Sequence, residues 1–193
     1  RLTTYRLLET EFKRIGRKFD SSEALGQMQV SIDNAVSILA DDYRDVFDEF
    51  LDRASSTLSF HRLISSLRLE TVVNECLEVG GEKPLCGQLN KLRILMPNTN
   101  IGRVDWHREI FQTVPRSRFV QIWAPIFRSA DTDNGALQIL EGSHLAKLPK
   151  PEWQENKNGV SLVRYPEQNL SSFDAMSITL KEGEALMFDG NLV

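Results

Sequence analysis

The sequence predicts an α+β fold with a mainly β core, in which a helical N-terminal layer packs outside a barrel or sandwich of short strands. Up to about residue 83, apolar residues recur every three or four positions, as they do on one face of a helix. After Pro84 the apolar residues come in short or alternating runs, and turn residues separate these runs. Helices followed by many short strands are typical of a β barrel or sandwich that is covered by helices.

Four helices are predicted in residues 1–83. The first has an apolar face made of Leu2, Tyr5, Leu8, Phe12, Ile15 and Phe19. After a stop and an N-cap at Asp20-Ser21-Ser22, the second helix has inward-facing Ala24, Leu25, Met28, Ile32, Ala35, Val36 and Leu39. The third is predicted around Tyr43, Val46, Phe47, Phe50 and Leu51. The fourth should cover about residues 60–78 and end at Gly80-Gly81, because glycine readily takes the left-handed closing conformation.

Short apolar runs predict the strands of residues 84–193. These runs are 92–96, 119–127, 136–140, 160–165, 176–180 and 185–188. Turn residues such as Asp133-Asn134-Gly135 and Pro149-Lys150-Pro151 lie between them. The polar, proline-bearing stretch 147–159 predicts a surface loop or a lid. A chain of 193 residues fits a single domain, with a helical part over residues 1–83 and a β part over residues 84–193.

The composition is that of an ordinary globular protein, and it argues against several functional classes. Hydrophobic residues make up 41% of the chain and charged residues 26%, which allows a substantial core. A net charge of -4 without a long basic run gives nucleic-acid binding no electrostatic support. No apolar stretch approaches the ~20 residues that a membrane span needs. Cys76 and Cys86 are too few for a disulfide framework, so we expect free thiols in a reducing cytoplasm.

His107 and Glu109 are the strongest candidates for chemistry. In an extended segment, residues two positions apart lie on the same side, so the imidazole and the carboxylate would converge. These two ligand types are most of the 2-His-1-carboxylate face with which non-haem oxygenases hold Fe(II). A His-x-Glu pair also arises by chance, so the pair alone does not establish a metal site.

Four stretches of the sequence together carry a family resemblance. They are Trp106-His107-Arg108-Glu109, residues 120–125 around Trp123, residues 134–144 from Asn134-Gly135 to Gly142-Ser143-His144, and residues 181–193. In this order they resemble the phytanoyl-CoA dioxygenase family of Fe(II)- and 2-oxoglutarate-dependent oxygenases, over about residues 88–193. Glu109 stands where most members have aspartate, and Glu141 replaces the usual proline of the turn.

The resemblance implies a fold, a reaction and a set of site residues. The fold would be a double-stranded β-helix, which is a cupin-like jelly-roll barrel. The reaction would hydroxylate a small molecule with O2 while 2-oxoglutarate yields succinate and CO2. His107 and Glu109 would be the catalytic Fe(II) ligands, and Trp123 would flank the co-substrate unless it is a core aromatic. Independently of the resemblance, Arg93 and Gln88 lie on the predicted strand before the metal pair, where a basic or amide side chain would meet a 2-oxoglutarate carboxylate unless it belongs to a solvated strand face.

The remaining ligands are the main gap in this set. The resemblance puts a second iron histidine at the position after Val193 or close to it, and a 2-oxoglutarate arginine further on. Because residues 185–193 read as the middle of a strand and turn, we expect the chain to be a piece of a longer protein. His144 would have a structural role in the Gly-Ser-His turn. His61, which follows a helical run, is expected to be a surface or core histidine.

Two other functions stay open from the sequence. A metal-free barrel would serve as a catalytically inactive binding or scaffold module, and two ligands alone hold Fe(II) poorly. A cupin-type enzyme would bind another metal, such as zinc or manganese, without 2-oxoglutarate. Such enzymes often use His-x-His before a glutamate, and this chain lacks the second early histidine. The sequence does not indicate the substrate or the oligomeric state.

Overall fold

The computed structural model describes residues 2–19, 25–78, 86–87, 90–96, 99, 104–109, 119–155 and 161–193. The chain divides into two compact units, and each is described by itself. The first unit comprises Arg1–Val72 and Pro84–Gly102, and the second comprises Val73–Lys83 and Arg103–Val193. The single catalytic domain with parts 1–83 and 84–193 stays a prediction.

Helices form most of the first unit. They are α1 (Leu2–Arg14), α2 (Leu25–Asp42), α3 (Arg44–Ser55) and α4 (Leu58–Ile64), and α5 (Leu67–Leu77) begins in this unit. The predicted inward faces of the first three helices are confirmed by the buried residues Tyr5, Leu8, Phe12, Ile32, Ala35, Val36, Leu39, Phe47 and Phe50. Removal of these side chains from water is the main force that packs the helices together.

Some predicted details of these helices are wrong or lie outside the described residues. Leu2 is 57% exposed, so the apolar face of α1 begins at Tyr5. The predicted N-cap at residues 20–22 and Ala24 lie outside the described residues, as do the side chains of Leu25 and Met28. The glycines at positions 80 and 81 lie outside them as well.

The predicted fourth helix over residues 60–78 is two helices, α4 and α5, separated at Ser65-Ser66. The Ser65 hydroxyl donates to the His61 carbonyl at 2.6 Å, and the Ser65 N–H donates to the same oxygen. Serine competes in this way for main-chain hydrogen bonds and favours a helix end. The main-chain carbonyl of Ser66 then accepts from the Glu70 N–H at 3.0 Å, and α5 begins after it.

The predicted strand at residues 92–96 is wrong, because this segment is irregular. Its alternating pattern has another cause. Leu92, Ile94 and Met96 pack against the helical core, whereas Arg93 between them is exposed. The Leu92 N–H donates to the Ser55 hydroxyl at 2.8 Å.

Short antiparallel strands form the second unit, so the predicted α+β class is confirmed. The strands are β1 (Val120–Trp123), β2 (Leu137–Leu140), β3 (Glu152–Glu155), β4 (Ser161–Arg164), β5 (Ala175–Ile178) and β6 (Leu186–Asp189). In the described residues they form two-stranded sheets that pair β1 with β6, β2 with β5, and β3 with β4. A single bridge between Ala130 and Leu180 lies outside the strands. The five predicted runs after residue 118 each overlap one of these strands.

The predicted surface loop over residues 147–159 contains β3, which the sequence did not predict. In β3, Glu152 lies opposite Arg164 and Trp153 lies opposite Val163. Trp153 is 63% exposed, and the strand is otherwise polar. Its formation is therefore decided by pairing with β4 and not by an apolar face, which is why hydrophobic periodicity missed it.

An apolar cluster lies in the second unit. Leu140, Tyr165, Leu170 and Val193 are buried in it, and Trp106, Leu148 and Phe173 pack against them. Trp106 directly precedes His107, so the cluster anchors the candidate metal segment. Two short 3₁₀ helices, Ser143–Leu145 and Glu167–Asn169, lie in the same unit.

Cys76 and Cys86 are free and exposed. Within the described ranges, no helix has both the length and the apolar character that would let it cross a membrane.

Candidate active site

The side chains of His107 and Glu109 lie against each other in the second unit. Nε2 of His107 is 3.1 Å from Oε1 of Glu109. The two side chains are 18% and 22% exposed, so a ligand can reach both of them. The backbone at residues 104–108 is irregular, and Glu109 has 3₁₀ geometry, so the expected extended strand is not what brings these side chains together.

A main-chain oxygen fixes the orientation of the imidazole. Nδ1 of His107 lies 2.7 Å from the carbonyl oxygen of Asp105. A carbonyl oxygen only accepts, so Nδ1 carries a proton, and in the neutral ring Nε2 keeps its lone pair. Metal-binding histidines typically hold their second nitrogen in this way. A proton on Nε2 would be shared with Glu109, and a cation can take the place of that proton.

The donor atoms and their spacing fit Fe(II). Imidazole nitrogen and carboxylate oxygen are ligand types that suit this ion. Metal–ligand bonds of about 2.1 Å at right angles put neighbouring donor atoms about 3 Å apart, which is the separation of the two side chains. In the part of the chain that the structure describes, no third His, Cys, Asp or Glu completes a metal-binding group. The third ligand stays a prediction.

Arg108, between the two candidate ligands, contacts a different part of the unit. Its Nη2 donates to the carbonyl oxygens of Ser143 and Ala146, the latter at 3.1 Å. Its guanidinium carbon lies 5.9 Å from the ring centroid of Tyr165. Arg108 thereby ties the metal segment to the Gly-Ser-His turn.

The turn itself is held on its other side by the residues after β6. Gly142 has a φ of 76°, which is strained for any residue with a Cβ. Ser143 is fully buried, and its Oγ accepts from the Val193 N–H at 2.9 Å. The Leu140 N–H donates to the Val193 carbonyl at 2.6 Å. The turn is therefore a fixed support for Arg108.

A cleft of about 350 Å³ lies beside the metal segment. It is lined by Asp105, Trp106, Glu152, Arg164, Tyr165, Pro166, Glu167 and Gln168. Nη1 of Arg164 lies 3.7 Å from Asp105, and its Nη2 lies 3.6 Å from Glu152. The wall of the cleft is fixed at the main chain, because the Tyr165 N–H donates to the Trp106 carbonyl at 2.7 Å. Burial raises the pKa of the Tyr165 hydroxyl above its ordinary value, and the Arg108 guanidinium opposes this shift.

The three residues that the sequence assigns to 2-oxoglutarate binding are Trp123, Arg93 and Gln88. Trp123 is the last residue of β1, lies opposite Leu186 and is half-buried. Arg93 is exposed in the first unit, and Gln88 lies outside the described residues. The co-substrate role of all three stays a prediction.

The two other histidines are exposed. His144 lies in the 3₁₀ helix Ser143–Leu145, and His61 lies in α4. The expected structural role of the Gly-Ser-His turn falls on Ser143, which is fully buried.

Sequence reasoning missed Arg108, Ser143 and Tyr165. Each acts through main-chain or ring contacts that have no sequence pattern of their own. The one available signal was position, since Arg108 stands between the two candidate ligands and Ser143 stands inside the family turn.

Comparison with known proteins tests the resemblance. No curated protein and no solved structure matches the chain. The family model for phytanoyl-CoA dioxygenase matches residues 9–193, which is nearly the whole chain and includes the helices as well as the strands. The resemblance seen in residues 88–193 is thus confirmed, and the chain belongs to the phytanoyl-CoA dioxygenase family.

Proposed function

We propose that the protein is an Fe(II)- and 2-oxoglutarate-dependent dioxygenase that hydroxylates a small-molecule or metabolite substrate. The observation that carries the proposal is the 3.1 Å contact between His107 Nε2 and Glu109 Oε1, in a chain of this family. The carbonyl of Asp105 supports it further, because it leaves the lone pair of the neutral imidazole on the nitrogen that faces the carboxylate.

The strand pairing supports a jelly-roll barrel as the fold. The pairs are nested, since β1 pairs with β6, β2 with β5 and β3 with β4. The bridge between Ala130 and Leu180 fits the same nest, because these residues lie between the outer and the middle pair. A jelly roll is a long antiparallel hairpin rolled into a barrel, and nested pairs are what such a hairpin produces.

The residues of this chain would bind and orient the reactants. His107 and Glu109 would hold the iron, while Trp123, Arg93 and Gln88 are proposed to contact 2-oxoglutarate. When bound, iron and 2-oxoglutarate supply the oxidising power, with O2 consumed and succinate and CO2 released. The Asp105 carbonyl would keep the Nδ1 proton in place, so that His107 presents Nε2 to the metal.

The test is metal binding and 2-oxoglutarate turnover in matched histidine variants. We expect His107→Ala to abolish Fe(II) binding and Fe(II)-dependent succinate formation, and to lower the binding of Co(II) used as a spectroscopic probe. The control is His144→Ala, in which an exposed imidazole of the same unit is removed and metal binding should stay unchanged. Equal metal binding by the wild type and His107→Ala would overturn the proposal and favour the catalytically inactive scaffold. A cytoplasmic location stays a prediction.

A further inference from the structure

The candidate metal pair is joined to the rest of its unit through the residue between its two members. His107 and Glu109 contact each other, whereas Arg108 donates to the carbonyl oxygens of Ser143 and Ala146. One guanidinium nitrogen thus spans two acceptors that belong to a single turn. Nε of Arg108 is buried and makes no hydrogen bond to any described residue. Besides the main-chain oxygens, the guanidinium contacts the Tyr165 side chain, both its hydroxyl through a hydrogen bond and its ring.

The acceptors of Arg108 belong to a turn that is held by burial and hydrogen bonds. Ser143 is fully buried and receives the Val193 N–H, and Gly142 enters the turn in the left-handed conformation. A guanidinium group loses less conformational freedom per hydrogen bond than a flexible ammonium group does, because its fork is planar. A planar group bound to a fixed turn restricts the backbone from which it projects.

We propose that Arg108 is the positioning residue of the metal pair. Its hydrogen bonds to the turn fix the backbone between His107 and Glu109, and this keeps Nε2 and Oε1 at ligand spacing before a metal binds. The proposal rests on the proposed function, because it takes the pair to be a metal site. Groups that orient metal ligands typically change metal affinity by about 10–100-fold when they are removed.

The charge of Arg108 and its positioning role predict opposite changes in metal affinity when the guanidinium is removed, so an experiment can distinguish them. Arg108 is a cation next in sequence to both ligand residues, and it would repel a bound metal cation. If charge alone mattered, removal of the guanidinium would strengthen metal binding. If positioning dominates, Arg108→Met weakens metal binding even though it removes a repulsive charge.

The experiment measures Co(II) dissociation constants by absorption titration, together with the thermal midpoint of each variant. We expect Arg108→Met to raise the dissociation constant about tenfold. Arg108→Lys, which keeps the charge but lacks the fork, should lie between this variant and the wild type. Arg53→Met is the matched control, because it breaks the contact of Arg53 with the buried carboxylate of Glu11 in the first unit. It should lower the thermal midpoint and leave the dissociation constant unchanged.

The outcomes separate this proposal from the proposed function. Unchanged Co(II) binding in His107→Ala would overturn both. A lost metal site in His107→Ala with unchanged or tighter binding in Arg108→Met would overturn only the role of Arg108. An equal loss of affinity in Arg53→Met would show that general destabilisation is the cause, and would overturn it as well. If Arg108→Met does not fold, wild-type affinity in Arg108→Lys contradicts the proposal.

Discussion

At the scale of single residues, three buried or half-buried polar groups decide most of the local geometry. Nη2 of Arg108 donates to two main-chain oxygens, the Ser143 hydroxyl accepts from the N–H of Val193, and the Glu11 carboxylate pairs with arginines. Glu11 is fully buried in the helical core, where it contacts Arg53 and lies 3.1 Å from Nε of Arg14. A buried carboxylate is tolerated only with such partners, so these contacts are stability determinants.

The first residue-scale prediction concerns the Glu11–Arg53 pair. We expect Arg53→Met to lower the free energy of unfolding by about 2 kcal/mol, below the ~3–5 kcal/mol of fully buried pairs, because Arg53 is 46% exposed. The control is Arg44→Met, which breaks an exposed pair with Asp48 and should cost less than about 1 kcal/mol. Urea unfolding measures both values. Equal losses in the two variants would contradict the prediction.

The second residue-scale prediction concerns alkaline pH. Burial raises the pKa of Tyr165 in the folded state, so the folded protein holds this proton more tightly than the unfolded chain. The resulting stabilisation is present below a pH of about 10 and is lost as the pH rises through the folded pKa. Tyr165→Phe should therefore lose less stability than the wild type between pH 9 and pH 11, as measured by urea unfolding at each pH. Tyr43→Phe controls for the loss of a hydroxyl, and a wild-type alkaline slope in Tyr165→Phe would rule the idea out.

At the scale of elements, strand pairing and helix capping determined those helix and strand boundaries that the hydrophobic pattern did not predict. The pattern predicted three helices and five of the strands in roughly their places, because each has an apolar face. It missed β3, which is polar, and it missed the break between α4 and α5, where the Ser65 hydroxyl competes for the His61 carbonyl. It also wrongly predicted a strand at residues 92–96, where a segment of alternating pattern packs against the helical core.

The element-scale prediction concerns the pairing of β1 with β6. Gly190 follows β6 and is buried, and a Cβ added there would come within 2.0 Å of the Phe119 ring, which precedes β1. Gly190→Ala should therefore destabilise the protein by about 1–3 kcal/mol through overpacking. Gly87→Ala is the control, because nothing lies within 4 Å of its added Cβ. Thermal unfolding checks both variants, and a stable Gly190→Ala would mean that the ring moves aside without cost.

At the scale of the whole molecule, the two units have different features. The first unit holds a helical core that includes a buried carboxylate, and the second holds the candidate metal pair, the cleft and the strand cluster. A ligand that binds only the folded form stabilises the protein as a whole by mass action. Metal binding should therefore be visible in unfolding experiments without knowledge of the substrate.

The whole-molecule prediction is metal-linked stability. At a Co(II) concentration ten times its dissociation constant, the folded state should gain about 1.4 kcal/mol. Glu109→Gln, which removes the carboxylate charge with little change in shape, should abolish this gain. The measurement is urea unfolding with and without Co(II), and the same gain in Glu109→Gln would exclude Glu109 as a ligand. The gain should also shrink at acidic pH, because protons compete with the metal for the ligand atoms.

The sequence by itself determined the family, the order of helices before strands and the identity of the candidate ligand pair. These are local or composition-level signals, carried by residue type and spacing, as in Trp106-His107-Arg108-Glu109 and the Gly-Ser-His turn. Only the tertiary structure decided which nitrogen of His107 faces Glu109, that Arg108 binds the turn, and that β3 pairs with β4. The Arg108 contact and the pairing of β3 with β4 bring together atoms from distant positions, and the orientation of His107 depends on the main-chain oxygen of Asp105. In each case main-chain groups take part, and main-chain hydrogen bonding has no side-chain code that a sequence pattern can reveal.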